Sequence, residues 1–393
     1  MRLSKPPALA NEITAAPHSA IREITNRAVF IPGAIRLEVG QPSFPTPEHI
    51  REAAKSAIDQ GWNFYTQTAG LMTLRERIVA KLQRVNGITC SPQEVVCAPG
   101  GAGALSAAIT AVTAPGEGIL VPDPGWPNYF LMAAANNLDL LRYRCPPDND
   151  YLPDLDHLDH LVNRRVRVLL VNSPNNPTGA IYPRRLLEAL CSFAQKHNLW
   201  LIADECYDQI VLDPGDSCAI ARILDDGRVI SVFSFSKTYS MTGWRLGYAV
   251  ARPEVADSIV KTLEANSTCT STVTQKAAEA ALDGPQDHLD HWLATYRLHR
   301  DQSLEILSKG RLSASLPHGA FYVMADVSSS GMSSRDFALR LLEEERVAVA
   351  PGAGFGVVGD RAVRISFAGT QAELKEGLDR LVRFAVRGTA DRS

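Results

Sequence analysis

The chain has 393 residues, 45% of them hydrophobic and 21% charged, enough for two domains or one large domain with an appendage. A net charge of −3 implies no general affinity for nucleic acid. The apolar runs at 102–112 and 168–171 are too short to span a membrane, and no secretory leader is read at the N-terminus. The seven cysteines are scattered and make no CxxC or Cys/His pattern, so they read as reduced thiols of a cytoplasmic protein with no metal.

In chain order, residues 16–28 carry a helical pattern, and 35–39 alternate as a short half-buried strand does. Gly40-Gln41-Pro42-Ser43-Phe44-Pro45-Thr46-Pro47 is a loop that leads into a helix over 48–60, with Thr46 as its cap and Pro47 as its first residue. Tyr65 lies in the loop 63–70, ahead of a helix containing Leu74 and Arg75. A strand over 94–98 meets the small-residue turn Pro99-Gly100-Gly101-Ala102, which opens an apolar helix to 112. Strand, turn and helix N-terminus make an anion site, because free N–H groups converge there and small residues admit a phosphate. It is not the dinucleotide fingerprint, since no acidic residue follows a second strand at the required spacing.

Strands at 118–121, 166–171 and 199–203 each end in a polar loop. These loops carry Trp126, then Asn172-Ser173-Pro174-Asn175-Asn176-Pro177-Thr178-Gly179, then Asp204-Glu205-Cys206-Tyr207. A carboxylate at a buried strand end requires a cationic partner, and strand alternation points Glu205 away from Asp204. Residues 230–236 read as a buried strand ending at Lys237, and 249–250 close the next strand. One long helical stretch is expected over 255–283, broken by Gly284-Pro285, and another over 288–307. Strands follow at 319–324 and 362–368, the second containing Arg364, with an extended piece at 347–350 and a turn-rich loop at 351–356 between them. The alternation over 93–252 predicts an α/β fold, a mostly parallel sheet sandwiched by helices with its ligands at the carboxyl ends of the strands.

Lys237 stands out, because a lysine at a buried strand end is costly unless paired, neutral or covalently occupied. Ser234 and Ser236 precede it closely and Arg245 follows across a loop. This set suits an aldehyde that carries a phosphate: the amine forms a Schiff base while hydroxyls and guanidinium hold phosphate oxygens. Ser234-x-Ser236-Lys237-x-x-Ser240-Met241-x-Gly243-x-Arg245-Leu246-Gly247 resembles the lysine signature of class I/II aminotransferases, which are pyridoxal-phosphate (PLP) enzymes of fold type I. The resemblance, of the aspartate aminotransferase kind, extends from about residue 16 to 384. It implies a large PLP-binding domain over 46–284, a smaller α+β domain over 285–393, and an arm over 1–45 that adds to the small domain.

The resemblance also implies roles. Lys237 carries the cofactor, and Arg245, Ser234, Ser236 and the N–H groups of Gly101 and Ala102 hold its phosphate. Ala102 lacks the hydroxyl or amine of some members, so only its N–H is available. Trp126 stacks on the pyridine ring, Asn176 and Tyr207 share the ring oxygen, and Asp204 pairs with the ring nitrogen. Arg364 takes the substrate α-carboxylate, with Gly40 and Asn176 beside it. Tyr65 reaches the phosphate of a partner subunit, which implies a homodimer with shared sites. By residue type alone, Gly40 also reads as a turn glycine, Tyr65 as a surface residue, Trp126 as a core tryptophan and Arg364 as lying on the wet face of an edge strand.

The expected function is transfer of an amino group from an L-amino acid, neutral or aromatic by preference, to a 2-oxo acid. PLP lyases, synthases and oxidases on the same scaffold are the alternative, because the pocket selects the fate of the common carbanion. A regulator built on such a domain would carry a DNA-binding domain in front, and the similarity begins too early for one.

Overall fold

The computed structural model describes residues 14, 20–213 and 215–390, so the first part of the helix expected over 16–28 lies outside the described residues and the rest is the helix Ala20–Ala28. Among the described residues twelve strands follow in chain order: β1 (Ile35–Arg36), β2 (Val95–Ala98), β3 (Gly118–Asp123), β4 (Asp139–Arg144), β5 (Val166–Asn172), β6 (Trp200–Asp204), β7 (Val229–Ser234), β8 (Gly247–Val250), β9 (Tyr322–Asp326), β10 (Val347–Ala348), β11 (Ala350–Pro351) and β12 (Ala362–Ser366). Seven of them form one sheet in the order β2-β8-β7-β6-β5-β3-β4. β4, β3, β5, β6 and β7 run parallel, whereas β8 is antiparallel to both β7 and β2. A parallel return needs a long crossover, usually a helix, and the short link after β7 holds only one helical turn, so β8 comes back alongside.

The central strands are apolar because both faces are covered. Ile119, Val121, Val168, Leu170 and Ile202 pack on one face with Ala104, Leu105 and Ala108 of the helix Gly100–Val112. Leu120, Leu169, Val171, Leu201 and Ala203 pack on the other with Leu187, Leu190 and Ala194 of the helix Arg184–Lys196. This period of two sends Asp204 to the side of Ile202, toward the helix that starts at Gly100, and Glu205 to the opposite side.

A second, antiparallel sheet β11-β12-β9 and the parallel pair β1–β10 share a core with the helices Asp287–Lys309, Ser334–Glu345 and Gln371–Ala390. Phe321, Phe337 and Phe367 are fully buried there.

Several sequence expectations need correction. The strand before Lys237 stops at Ser234, whose hydroxyl accepts the Ser236 N–H at 3.1 Å and caps the turn Phe235–Thr238, so Lys237 sits in a helical turn. The stretch 255–283 is two helices, Pro253–Asn266 and Thr272–Asp283, because the polar run between them ends one and caps the next through Ser271. β4 was not foreseen; it is a partly exposed edge strand whose charged residues hide the pattern. The strand expected at 35–39 shrinks to a two-residue piece, and the extended piece at 347–350 divides between two short strands. Among the described residues the cis peptide bonds precede Pro124 and Pro174, and no helix is long and apolar enough to cross a membrane.

Candidate active site

The carboxyl ends of β5, β6 and β7 deliver Asn172, Asp204 and Ser234 to a cavity of about 360 Å³. Gly40, Gly101, Ala102, Trp126, Asn176, Tyr207, Ser236, Lys237, Arg245 and Arg364 line the same cavity, so the structure brings together every expected site residue except Tyr65. Tyr65 is 83% exposed and stands on the outer surface.

Lys237 Nζ donates to the Gly40 carbonyl at 2.6 Å and lies 5.7 and 5.9 Å from the ring centres of Phe321 and Tyr207. It has no ion-pair partner among the described residues. Burial lowers its pKa from 10.5 to about 8; Arg364 and Arg245 push the same way, and Cys206 opposes them. The side chain is partly exposed because it faces the cavity.

Asp204 is buried and has no cationic partner among the described residues. Its Oδ2 accepts the Tyr129 hydroxyl at 2.6 Å and its Oδ1 the Cys206 N–H at 3.2 Å. Burial raises its carboxyl pKa and these hydrogen bonds pull it back. Glu205 points away, as alternation requires, and accepts the Ile220 N–H at 3.0 Å.

Arg245 closes the side of the cavity beside Gly100. Its guanidinium donates to the carbonyls of Thr242 at 2.8 Å and Pro99 at 3.5 Å and pairs with no carboxylate among the described residues. A Cβ on Gly100 would lie 2.5 Å from Nη2 of Arg245, and one on Gly101 would lie 2.5 Å from Cys206 Sγ, so only glycine lets these groups close on the helix N-terminus. Trp126 meets Tyr129 edge-on at 5.5 Å.

Arg364 is buried, with Nη1 donating to Asn176 Oδ1 at 2.9 Å, Nη2 to the Glu38 carbonyl, and its plane against Tyr322 at 4.3 Å and Phe355 at 4.9 Å. Its placement excludes the wet-face alternative. The Tyr207 hydroxyl bonds to that of Tyr322 at 2.7 Å. Tyr129 and Tyr322 were missed by the sequence reading; the only signal for the first was its place one turn after Trp126.

A family model described as aminotransferase class I and II matches residues 32–381. The chain belongs to the class I and II aminotransferases. It is 33% identical over 383 residues to aromatic-amino-acid aminotransferase 2 of Thermococcus litoralis, covering 95% of this chain and 97% of that one. It is 34% identical to the aspartate/prephenate aminotransferase of Thermus thermophilus, covering 96% of each. The solved aspartate aminotransferase of Thermus thermophilus with maleate superposes with a TM-score of 0.92 at 33% identity, over 96% of this chain and 100% of that chain. As a class I and II aminotransferase of fold type I, the chain uses PLP. The donor set fits that group: an amine of lowered pKa, a buried carboxylate without a cation, and a free guanidinium over a glycine-lined helix N-terminus stand in one cavity.

Proposed function

We propose that this aminotransferase moves the amino group of a neutral or aromatic L-amino acid to a 2-oxo acid such as 2-oxoglutarate or pyruvate, with Lys237 as its base. The observation that carries the reading is the unpaired Lys237 amine, its pKa lowered to about 8, in one cavity with Asp204, Arg245 and Arg364. PLP, when bound, supplies a ring that takes up the electron pair left at the substrate α-carbon.

The chain's own residues do the rest. Arg364, with Gly40 and Asn176, orients the α-carboxylate. Asp204 keeps a proton on the ring nitrogen, and Tyr129 holds Asp204 in place. Arg245, Ser234, Ser236 and the N–H groups of Gly101 and Ala102 bind the phosphate, Trp126 offers the ring a flat face, and Asn176 and Tyr207 bind the ring oxygen. Neutral Lys237 Nζ takes the proton from the substrate α-carbon. Ile21 and Val39 on the cavity wall support an apolar side chain, as does the name of the Thermococcus litoralis relative; Arg22, on the same wall, is the group that an acidic donor would use.

The assembly is a cytoplasmic homodimer in which Tyr65 enters the partner's site, in keeping with the exposure of Phe64 and Tyr65 side by side. Each chain divides into a large domain over 46–284 and a small one over 285–393, to which an N-terminal arm over 1–45 contributes in part.

The test is a single half-reaction: the holoenzyme is mixed with each amino acid in turn, without an oxo acid, and the cofactor absorbance is followed. Conversion to the amine form of the cofactor is expected, fastest with neutral or aromatic donors. Ammonia release with the starting spectrum regenerated would overturn the reading, and fastest conversion with aspartate would overturn the donor class.

A further inference from the structure

The loop 355–358, between β11 and β12, is bound to the far end of β3 by a compact set of contacts. Asp123, the last residue of β3, is buried. Its Oδ2 accepts the Val357 N–H and its Oδ1 the Val358 N–H, each at 3.1 Å. One residue beyond Pro124, the Gly125 N–H donates back to the Phe355 carbonyl at 2.8 Å. The two loops therefore hold each other in both directions.

The sequence of the loop is built for this approach. Gly356 has φ +141°, and a Cβ there would overlap the Asp123 carboxylate. Gly352 faces the carbonyls of Gly359 and Ala362 so closely that a Cβ would overlap both. The loop is folded back on itself and its tip is tied down by one buried carboxylate. Phe355, fully buried inside it, lies 4.9 Å from the Arg364 guanidinium, whose Nε has no hydrogen-bond partner among the described residues. The rings of Phe355 and Tyr322 and the bonds to Asn176 and Glu38 are thus what orients that guanidinium. On the other side, three residues after Asp123, Trp126 lines the cavity.

We propose that Asp123 is a positioning residue: by clamping the 355–358 loop it fixes Phe355 against Arg364 and sets the substrate-carboxylate subsite relative to the Trp126 wall. The inference rests on the carboxylate role given to Arg364 under the proposed function. Asp123 touches no reacting group. It acts through Phe355, and the two backbone amides it accepts are charge-assisted bonds that a neutral amide side chain cannot reproduce in full.

Asp123→Asn keeps the size of the side chain and places an NH2 against one of the two N–H groups. It is expected to raise KM for the best amino donor and for the 2-oxo acid by about tenfold, with a smaller change in kcat. The deciding measurement is a double-mutant cycle with Arg364→Ala. If Asp123 works through Arg364, Asp123→Asn adds little to KM once the guanidinium is gone. Gly356→Ala, which pushes the loop tip off an intact Asp123, is expected to give the same KM pattern and covers the case in which Asp123→Asn does not fold. Normal KM values in both single variants, or effects that multiply fully in the Arg364→Ala background, would overturn the inference alone. A normal KM in Arg364→Ala would overturn the carboxylate assignment and the inference with it.

Discussion

At the scale of single residues, the site depends on what burial does to a few polar groups. A neutral amine is the nucleophile toward an aldehyde, and burial lowers the Lys237 pKa to about 8. The rate at which cofactor-free protein takes up PLP should therefore rise through about pH 8 and then level, whereas a rise that continued toward the 10.5 of an ordinary lysine would show a solvated amine. Lys237→Ala should abolish the half-reaction. Tyr129→Phe removes the hydroxyl that holds Asp204, a hydrogen bond to a charged group worth about 1.5–3 kcal/mol. It should slow turnover more than it weakens cofactor binding, and unchanged turnover would show that Asp204 is held without it. Lys237, Asp204 and Arg364 were legible in the sequence because a charge among apolar strand residues is costly and so announces a purpose. Tyr129 and Tyr322 were not, because a tyrosine hydroxyl finds its partner through tertiary packing, here across 75 residues to Asp204 and 115 to Tyr207.

At the scale of elements, the strand ends divide the work between two faces. β6 sends Asp204 into the cavity and Glu205 behind it, where burial raises the Glu205 pKa from 4.5 to about 8. Between those values the folded chain keeps a proton that the unfolded chain has released, so stability should fall as pH rises from about 4.5 to 8 and level beyond. Glu205→Gln should flatten the fall in melting temperature over that window; an unaltered slope would assign it to another group. The alternation behind this division was readable, as were the parallel strands, since period-two burial and continuous apolar runs are local signals. The return of β8 and the break in the helix over 255–283 were less so. Both follow from links whose capping residues, Ser234 and Ser271, act only once the neighbouring turns are formed.

At the scale of the whole molecule, Tyr65 is the residue that one chain leaves outside its own cavity. If it serves a partner, chains carrying Lys237→Ala and chains carrying Tyr65→Ala, each poor alone, should regain about a quarter of normal activity when mixed equally, because half of the dimers then hold one complete site. No recovery would place Tyr65 outside catalysis. The strand order has a separate consequence for how the protein is made. β2 pairs only with β8, Val95 opposite Val250, and β1 pairs with β10, Ile35 opposite Val347. A ribosome releases β2 long before its neighbour exists, so the nascent chain carries an unpaired strand while residues 99–246 are made, and closing so long a loop comes late. A fragment that stops short of Val250 loses two strands rather than one, so the smallest piece able to complete the seven-stranded sheet must run past that residue.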